Sequence, residues 1–329
     1  MEEIYLKDII EREYGIEVRE LKKIKNTYRI NGDEGYCLKI INYNYPHFYF
    51  ILNCIRHLKN QKLESILEIM VNKNEKDYIK IGEKYAYMTR WVKSSISDFD
   101  NIELIEKIGM EVSNMHIKSR GYSILEKSKP RIYWGTWIKV FETRIKEIYD
   151  FQNRINQKAY KSRFDRLYLE NIKKEIEEGK EAIKLLEKSS YLKIMHEKVN
   201  EMGFCHHDLE NHNILVDENN KIKFIDFDYC ILDSNLHDIA SLVWRVNRYS
   251  KGDVDIKTKK LLNGYEKNLK ISDEEKEIMK GFLKFPNDFW QRGLQVYWEQ
   301  QPWEEEILVG KLEEYLKIKD RKNIVIESI

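Results

Sequence analysis

The sequence predicts an α+β fold of two lobes, a small β-rich lobe followed by a large, mainly helical lobe. Two observations lead to this prediction. The chain has 329 residues, which is long for a single hydrophobic core. Its first 90 or so residues favour short strands, whereas apolar residues recur at helical spacing after about residue 100. We therefore expect an N-terminal lobe over residues 1–90 and a C-terminal lobe over residues 91–329.

Two hairpins and two helices are expected in the N-terminal lobe. Apolar and polar residues alternate on either side of two short turns, Asn31-Gly32-Asp33 and Gly82-Glu83-Lys84, a pattern typical of β-hairpins. Helical spacing precedes the first hairpin and stops at Gly15. In chain order, the predicted elements are a helix over residues 4–14, strands over 27–30 and 36–41, a helix over 48–60, and strands over 78–81 and 85–89.

The C-terminal lobe is predicted to be helical except for one short hairpin. A polar connector over residues 91–100 leads into it. An apolar pair and an apolar strand flank Asp217-Glu218-Asn219-Asn220, which indicates a hairpin within residues 214–227. The predicted helices, from the three- and four-residue spacing of apolar side chains, cover residues 102–118, 136–157, 163–188, 191–202 and 236–249, and helices continue to the C-terminus.

Composition excludes several classes of function. The 57 basic and 56 acidic side chains nearly cancel, so no global charge favours nucleic acid or an anionic membrane. No stretch approaches the roughly 20 apolar residues of a membrane span, and the N-terminus lacks the apolar run of a signal peptide. The four cysteines form no C-x-x-C pair, which favours free thiols in a reducing compartment. We therefore expect cytoplasmic synthesis.

The residues from His206 to Asn213 carry the strongest chemical pattern in the chain. Phosphoryl transfer needs a carboxylate to accept the proton of an acceptor hydroxyl, and oxygen ligands for Mg²⁺. Asp208 can supply the carboxylate, and Asn213, five positions later, can offer its amide oxygen to a metal. The ring of His206 can brace this loop by hydrogen bonds. The pattern therefore predicts a catalytic loop.

A second group of acids follows the predicted hairpin. Asp226 and Asp228 come directly after the apolar strand that ends at Ile225. Carboxylates at the end of a buried strand favour a hard cation such as Mg²⁺. Asp226 is therefore predicted to be a metal ligand and Asp228 an auxiliary one. Asp238 opens the next helix, where we expect it to act as the N-cap.

Together these motifs resemble those of the aminoglycoside phosphotransferase and choline kinase superfamily, with its H-G-D-x-x-x-x-N and I-D-F/W-E/D signatures. Within it, the chain is similar to CotS-type spore coat proteins, on features that include Tyr36-Cys37-Leu38-Lys39, Thr89-Arg90-Trp91-Val92 and Phe285-Pro286-x-x-Phe289-Trp290. The resemblance implies a protein-kinase-like fold that uses ATP and Mg²⁺. It also implies that Lys39 contacts the phosphates and that backbone groups of Thr89, Arg90 and Trp91 hold the adenine. An exposed lysine at a strand end is the alternative for Lys39.

Three departures from the superfamily pattern bear on activity. The segment over residues 22–27 stands where a glycine-rich phosphate loop is expected, yet it contains no glycine. The helix after Lys39 contains no glutamate over residues 48–58 to pair with that lysine. His207 replaces the usual glycine before Asp208, and Glu210 adds another acid. These differences predict altered acceptor recognition or relaxed selection for catalysis.

Two functional hypotheses follow. The first is an ATP-dependent phosphotransferase that acts on a small hydroxylated molecule or on a cell-surface component. The second is a structural or interaction protein that keeps the kinase-like fold, contacts other spore coat proteins and has little or no activity. The resemblance implies deposition in the spore coat in both cases.

Two other interpretations of the sequence carry less weight. Cys205, His206, His207 and His212 lie close together, but no second pair of zinc ligands is evident. The aromatic stretch over residues 43–50 can pack the lobe or line the nucleotide cleft, and we expect packing.

Overall fold

The computed structural model describes residues 3–32 and 34–329. The described chain forms two compact units. Unit 1 contains the residues up to Asp98, together with Asn114–Ile132 and Phe204–Leu232. Unit 2 contains Phe99–Ser113, Tyr133–Gly203 and Asp233–Ile329. The predicted boundary after residue 90 divides the sequence in a different way and stays a prediction.

Unit 1 is built on a five-stranded antiparallel sheet with the strand order β1-β2-β3-β5-β4. Both predicted hairpins are confirmed, by the pairing of β2 with β3 and of β4 with β5. Asp33, which belongs to the first predicted turn, lies outside the described residues. The first strand was not predicted, because its burial does not alternate. The strands are β1 (Glu20–Ile24), β2 (Thr27–Asn31), β3 (Gly35–Ile41), β4 (Ile79–Ile81) and β5 (Lys84–Arg90).

Two helices accompany this sheet. Helix α1 (Glu3–Tyr14) buries its apolar face with the strands and ends at Gly15, whose φ of +70° suits glycine. Helix α2 (Tyr45–Asn60) begins three residues before its predicted start, because Asn44 caps it and accepts a hydrogen bond from the His47 N–H group. The apolar side chains of α2 are fully buried at six positions: Phe48, Phe50, Ile51, Leu52, Cys54 and Leu58.

A second, three-stranded sheet in unit 1 carries the residues of the predicted catalytic region. It consists of β6 (Ser94–Ile96), β7 (Ile214–Asp217) and β8 (Ile222–Phe224) in antiparallel order. The predicted hairpin over residues 214–227 is therefore confirmed. The connector contributes β6 instead of remaining irregular. The Phe224 N–H group donates a hydrogen bond of 2.7 Å to the Ser65 carbonyl, which joins this sheet to the segment after α2.

Unit 2 is helical, as predicted. Helix α5 packs on α4 and α9, and α7 packs on α8, α9 and α12. Capping boxes begin α5 at Ser162 and α9 at Ser272. The helices after α2 are α3 (Ile102–Ser119), α4 (Trp137–Gln157), α5 (Arg163–Lys188), α6 (Tyr191–Glu201), α7 (Asn235–Arg248), α8 (Val254–Glu266), α9 (Asp273–Lys284), α10 (Asn287–Tyr297), α11 (Glu305–Ile318) and α12 (Arg321–Glu327).

The predicted N-cap of α7 was wrong. Ser234 occupies the cap, and its side chain accepts a hydrogen bond from the Leu236 N–H group. Asp238 lies one turn further along and is only 1% exposed. Serine and aspartate cap helices about equally well, so residue type alone does not decide between Ser234 and Asp238 as the N-cap.

Over residues 3–32 and 34–329, no helix is long and apolar enough to span a membrane.

Candidate active site

His206 fixes the loop that carries the predicted catalytic base. Its Nε2 atom lies 2.9 Å from the Ile225 carbonyl oxygen, and because a carbonyl can only accept, Nε2 must carry the proton. Nδ1 is then free to accept a hydrogen bond of 3.3 Å from the Asp208 N–H group. The ring is fully buried. His206 therefore links the loop to the end of β8, which is the bracing role expected from the sequence.

Asn213 joins the same loop to the Asp208 carboxylate. Its side-chain nitrogen donates hydrogen bonds of 2.9 Å to the carbonyl oxygen and to Oδ2 of Asp208. The Asn213 backbone carbonyl accepts a hydrogen bond of 3.0 Å from Ile225, the residue before Asp226. Because the amide nitrogen faces Asp208, the amide oxygen is the atom left to face a cation. The hydrogen bonds of Asn213 thus bring Asp208 close to the residue before Asp226.

Asp226 and Asp228 both contact Lys39. The Lys39 Nζ atom lies 2.5 Å from Asp226 Oδ1 and 2.6 Å from Asp228 Oδ1. Asp226 has a left-handed backbone, with φ 66° and ψ 63°, which turns the chain sharply after β8. Lys39 therefore has carboxylate partners, although the sequence showed no glutamate for it in the helix that follows. Helix α2 contains no acid, but Asp228 supplies the carboxylate from a different part of the chain.

Burial and charge set the protonation of this cluster. Burial alone would lower the pKa of Lys39, but Tyr87, Asp228 and Asp226 together raise it, so the ammonium stays charged. Burial would raise the pKa of Asp226, but the charge of Lys39 and its hydrogen bond to this carboxylate hold the pKa below its usual value. Burial raises the pKa of Asp228 despite the opposing effect of Lys39. The two acids are therefore unequal, because the pKa of Asp226 is lowered and that of Asp228 is raised.

Lys39 lies on the central strand of the five-stranded sheet. It lies on β3 opposite Tyr87 of β5 and is 5% exposed. The alternative of an exposed lysine at a strand end was therefore wrong. Tyr87 is also buried, and burial raises the pKa of its hydroxyl. Tyr87 was not identified from the sequence, because the pairing of β3 with β5 joins the two predicted hairpins and follows from neither of them.

A cavity of about 400 Å³ opens beside this cluster. Lys39, Asp226 and the predicted adenine-binding residues Thr89, Arg90 and Trp91 all line it. Every residue that lines the cavity belongs to unit 1. Its walls are mostly apolar, including Ile24, Ile66, Ile69, Val92, Leu215 and Ile225. This combination of apolar walls and a few polar groups is typical of a small-molecule site.

One backbone N–H group of the predicted adenine-binding segment is already hydrogen-bonded within the sheet. The Trp91 N–H group donates a hydrogen bond of 2.8 Å to the Gly35 carbonyl. Backbone groups of successive residues in a strand point to opposite sides, so those of Arg90, the last residue of β5, point away from β3. The segment assigned from the sequence is therefore in contact with the cavity, but the Trp91 N–H group is committed to the sheet.

The segment that stands in place of a glycine-rich loop is a tight hairpin turn. Ile24 pairs with Thr27 across β1 and β2, which leaves only Lys25 and Asn26 in the turn. Lys25 has a φ of 55°, and the Asn26 carbonyl accepts a hydrogen bond of 3.1 Å from Ile40. Ile24 and Thr27 line the cavity. The turn is therefore shorter than a phosphate loop and is tied to β3.

The carboxylates fit a magnesium ion that is held jointly with a phosphate. Among residues 3–32 and 34–329, no group of three or more His, Cys, Asp or Glu side chains forms a complete metal site. Mg²⁺ is usually held by one or two protein carboxylates, with phosphate and water completing its shell. Asp226, whose side chain is 35% exposed, and the Asn213 amide oxygen match that requirement.

Comparison with known proteins assigns the chain to a family. A family model described as "Spore coat putative kinase YutH" matches residues 7–329. The chain belongs to this family. The structural prediction of a kinase-like fold with a small antiparallel-sheet lobe and a mainly helical lobe is confirmed, and so is the CotS-type resemblance.

Relatives of this YutH-family chain agree with that assignment. Spore coat protein S of Bacillus subtilis (strain 168) is 23% identical over 229 residues, which is 69% of this chain and 64% of that protein. The match thus covers less than two thirds of that relative. An aminoglycoside phosphotransferase from Alicyclobacillus acidocaldarius has a TM-score of 0.82 at 17% identity, with coverage of 96% and 92% of the two chains. Spectinomycin phosphotransferase APH(9)-Ia, solved with ADP and spectinomycin, has a TM-score of 0.74 at 16% identity, with coverage of 100% and 99%.

In this YutH-family chain, a histidine, His207, stands where the superfamily signature has glycine, and its backbone is left-handed. His207 has a φ of 68°, a conformation that favours glycine. The glycine of the superfamily signature is therefore absent, but its left-handed turn is retained. Other residues at the site lay outside the sequence prediction: His47, whose ring faces backbone groups of Asp228 and Lys129, and Arg131, whose charge reaches Asp228. Neither belongs to a recognisable motif.

Proposed function

We propose that this chain is an ATP- and Mg²⁺-dependent phosphotransferase of the spore coat that acts on a small hydroxylated molecule. One observation carries the proposal. Lys39, Asp226 and the Asp208–Asn213 pair converge within unit 1, beside a cavity large enough for a nucleotide base. A fold-only role gives no reason for this convergence of residues from distant parts of the chain. Family membership and the relative in Bacillus subtilis support the association with the spore coat.

The proposed roles follow from the geometry. Asp208 accepts the proton of the acceptor hydroxyl as the acceptor oxygen forms its bond to the terminal phosphorus. The bond from that phosphorus to the bridging oxygen breaks, and ADP leaves with the electron pair. Asn213 orients the Asp208 carboxylate through its hydrogen bond of 2.9 Å. Asp226 and the Asn213 amide oxygen would hold Mg²⁺, which, when bound, neutralises phosphate charge.

Lys39 and Asp228 form a separate pair in this scheme. Lys39 contacts the phosphates as a point charge, and Asp228 orients it from a contact of 2.6 Å. The Asp228 side chain is 11% exposed, compared with 35% for Asp226. We therefore propose that Asp228 positions the lysine instead of serving as an auxiliary metal ligand. The backbone groups of Arg90, which point away from β3, are proposed to hold the adenine.

Nucleotide binding is the first experiment. We expect ATP analogues with Mg²⁺ to raise the thermal unfolding midpoint, because a ligand that binds only the folded state stabilises it. The stabilisation should vanish in Asp226→Ala and persist in Glu218→Gln, which changes an exposed acid in the β7–β8 turn whose side chain is 70% exposed. A wild-type chain that no nucleotide stabilises would favour an inactive structural role.

Catalysis is tested by transfer of the terminal phosphate to a panel of hydroxylated compounds. Asp208→Asn removes the proton acceptor but retains the shape of the loop, so turnover should fall by about 10²- to 10⁴-fold. The folded structure, followed by circular dichroism, should be unchanged. Equal turnover in the variant and the wild type would refute the role of Asp208.

A structural role in the coat is the second candidate, and two features favour it. The two-residue turn at Lys25 and Asn26 offers fewer backbone N–H groups to a phosphate than a glycine-rich loop does. His207 also places a bulky residue directly before Asp208, the proposed proton acceptor. If Mg²⁺-nucleotide binds but no acceptor is phosphorylated and Asp208→Asn binds equally well, the site acts as a nucleotide-dependent structural element.

A further inference from the structure

Arg131 is held by its backbone against the segment that follows Asp226 and Asp228. Its carbonyl accepts a hydrogen bond of 2.9 Å from the Leu232 N–H group, four residues after Asp228. Two residues earlier, the Lys129 N–H group donates a hydrogen bond of 2.9 Å to Pro46 in the first turn of α2. These bonds tie the loop that carries Arg131 both to the segment after Asp228 and to the start of α2. Its position is therefore set by the fold of unit 1.

The guanidinium of Arg131 rests on an aromatic ring. Its central carbon lies 5.4 Å from the centroid of Tyr43, and the Tyr43 ring makes an edge contact with His47 at 4.8 Å. The side chain is partly buried. Within residues 3–32 and 34–329, no carboxylate lies within 4 Å of this guanidinium and no hydrogen bond to it is formed. Its five N–H donors therefore have no protein acceptor.

The electrostatic field of Arg131 reaches the proposed phosphoryl-transfer site. Burial lowers the pKa of His47, and the charge of Arg131 lowers it further. Arg131 also opposes the rise that burial causes in the pKa of Asp228. Tyr43 and Asp208 both act on the hydroxyl of Tyr229, whose ring is 47% exposed. The ring that supports Arg131 and the proposed base therefore both lie close to Tyr229.

We propose that Arg131 forms an oxyanion-binding site at the edge of this cluster, with Tyr43 as its support. This inference rests on the proposed phosphotransferase function. A guanidinium presents two parallel donors to phosphate or carboxylate oxygens. The chain has a particular need for such a group, because the turn at Lys25 and Asn26 has no glycine and Lys39 is a single point charge. The oxyanion is either the terminal phosphoryl group of the nucleotide or an acidic group of the acceptor.

The test compares Arg131→Ala and Arg131→Lys with the wild type by calorimetry. Mg²⁺ is present throughout, and the titrants are ADP, a non-hydrolysable ATP analogue, and orthophosphate added to the free protein and to the ADP complex. Loss of a charged hydrogen bond should weaken binding about 10- to 100-fold. Arg131→Lys keeps the charge but loses the paired donors, so its affinity should lie between the other two.

The titrations separate the two sources of the oxyanion. If the alanine variant loses affinity for the ATP analogue but not for ADP, Arg131 binds the terminal phosphoryl group. If both nucleotides bind as in the wild type but orthophosphate binding is lost, Arg131 binds an acidic group of the acceptor. Equal binding of every titrant by variant and wild type overturns the proposal. An equal loss for ADP and the ATP analogue also overturns it, because that pattern indicates a structural role.

A matched control keeps the interpretation clear. Arg248 also rests on a tyrosine, with its guanidinium 5.0 Å from the centroid of Tyr249, but it belongs to unit 2. Arg248→Ala should leave all four titrations unchanged. If the wild type binds neither nucleotide, the proposed function fails. If it binds both and Arg131→Ala has no effect, only the role of Arg131 fails.

Discussion

At the scale of single residues, the conformation of His207 is the clearest departure from a preferred backbone. Its φ of 68° lies in the left-handed region, where a side chain costs roughly 1–2 kcal/mol. We expect His207→Gly to be more stable than His207→Ala by about 1 kcal/mol, because both variants lose the imidazole and only alanine keeps the clash. This order is the reverse of the usual one in helices.

Urea denaturation of the two variants measures this difference. As a control, Gly310 lies inside α11, and a Cβ atom added there would meet no atom within 4 Å. Gly310→Ala should therefore stabilise the protein, by about 0.5–1 kcal/mol. An alanine variant at residue 207 that is as stable as the glycine variant would show that the left-handed turn has relaxed.

Asp233 makes stability depend on pH. It is buried, and burial raises its pKa from 3.8 to about 6, although His237 and the Trp137 N–H group oppose the rise. The folded state therefore binds this proton more tightly than the unfolded state does between those values. Folding stability from this group is greatest below pH 3.8 and is lost as pH rises through 6.

Replacement of Asp233 by asparagine should remove this dependence. Asparagine keeps an oxygen to accept the Trp137 hydrogen bond of 2.9 Å and carries no charge. We expect the variant to gain stability over the wild type as pH rises from 4 to 7, by at most about 3 kcal/mol at 1.36 kcal/mol per pKa unit. Denaturation curves at several pH values measure the gain. A constant difference at every pH would contradict the assignment.

At the scale of elements, α3 and α8 cross with their backbones in contact. A Cβ atom added at Gly264 of α8 would lie 2.0 Å from the Glu106 carbonyl oxygen of α3. Likewise, a Cβ atom at Gly109 of α3 would lie 2.2 Å from the Leu261 carbonyl oxygen. Glu106 also bonds to Lys260 and Lys267 across the crossing. Neither backbone can yield without separating the helices.

Gly264→Ala should therefore destabilise unit 2 by about 1–3 kcal/mol or more, as expected for overpacking. The intrinsic helix preference of alanine would act in the opposite direction by roughly 1 kcal/mol. The free energy of unfolding in urea, compared with that of Gly310→Ala, separates the two effects. Equal stabilisation by both substitutions would mean that the helices can move apart at low cost.

Sequence patterns predicted the elements well where apolar spacing is regular. Strand β1 was missed because its residues are nearly all exposed, so nothing in Glu20–Ile24 alternates. The catalytic loop was found because its residues are close in sequence. Arg131 and the pairing of Lys39 with Asp228 were not found, because contacts between distant segments leave no periodic signal. The fold thus follows largely from local pattern, whereas the electrostatics of the site depend on the tertiary structure.

At the scale of the whole molecule, the cavity draws its lining from distant parts of the sequence but from unit 1 alone. If a nucleotide binds there, amide hydrogen exchange should slow in unit 1. We expect added protection at Thr89–Val92, at the β1–β2 turn and around Asp226 when an ATP analogue and Mg²⁺ are present, because binding suppresses local opening. Peptides from α11 provide the reference.

Mass spectrometry after exchange resolves these segments. The same experiment on Asp226→Ala should show no added protection. Protection confined to α11, with none around the cavity, would place the nucleotide elsewhere.

The contact of Lys39 with Asp226 and Asp228 has a consequence for the order of events. In the free protein, the ammonium acts as an internal counter-ion for the carboxylate proposed to hold the metal. A free divalent cation must displace the ammonium from Asp226 and then lie close to the positive charge of the buried Lys39, which is costly. A nucleotide that arrives with its metal offers Lys39 a phosphate in exchange. We therefore expect free Mg²⁺ to bind poorly, so that the supply of nucleotide, and not of metal, decides when the site is filled.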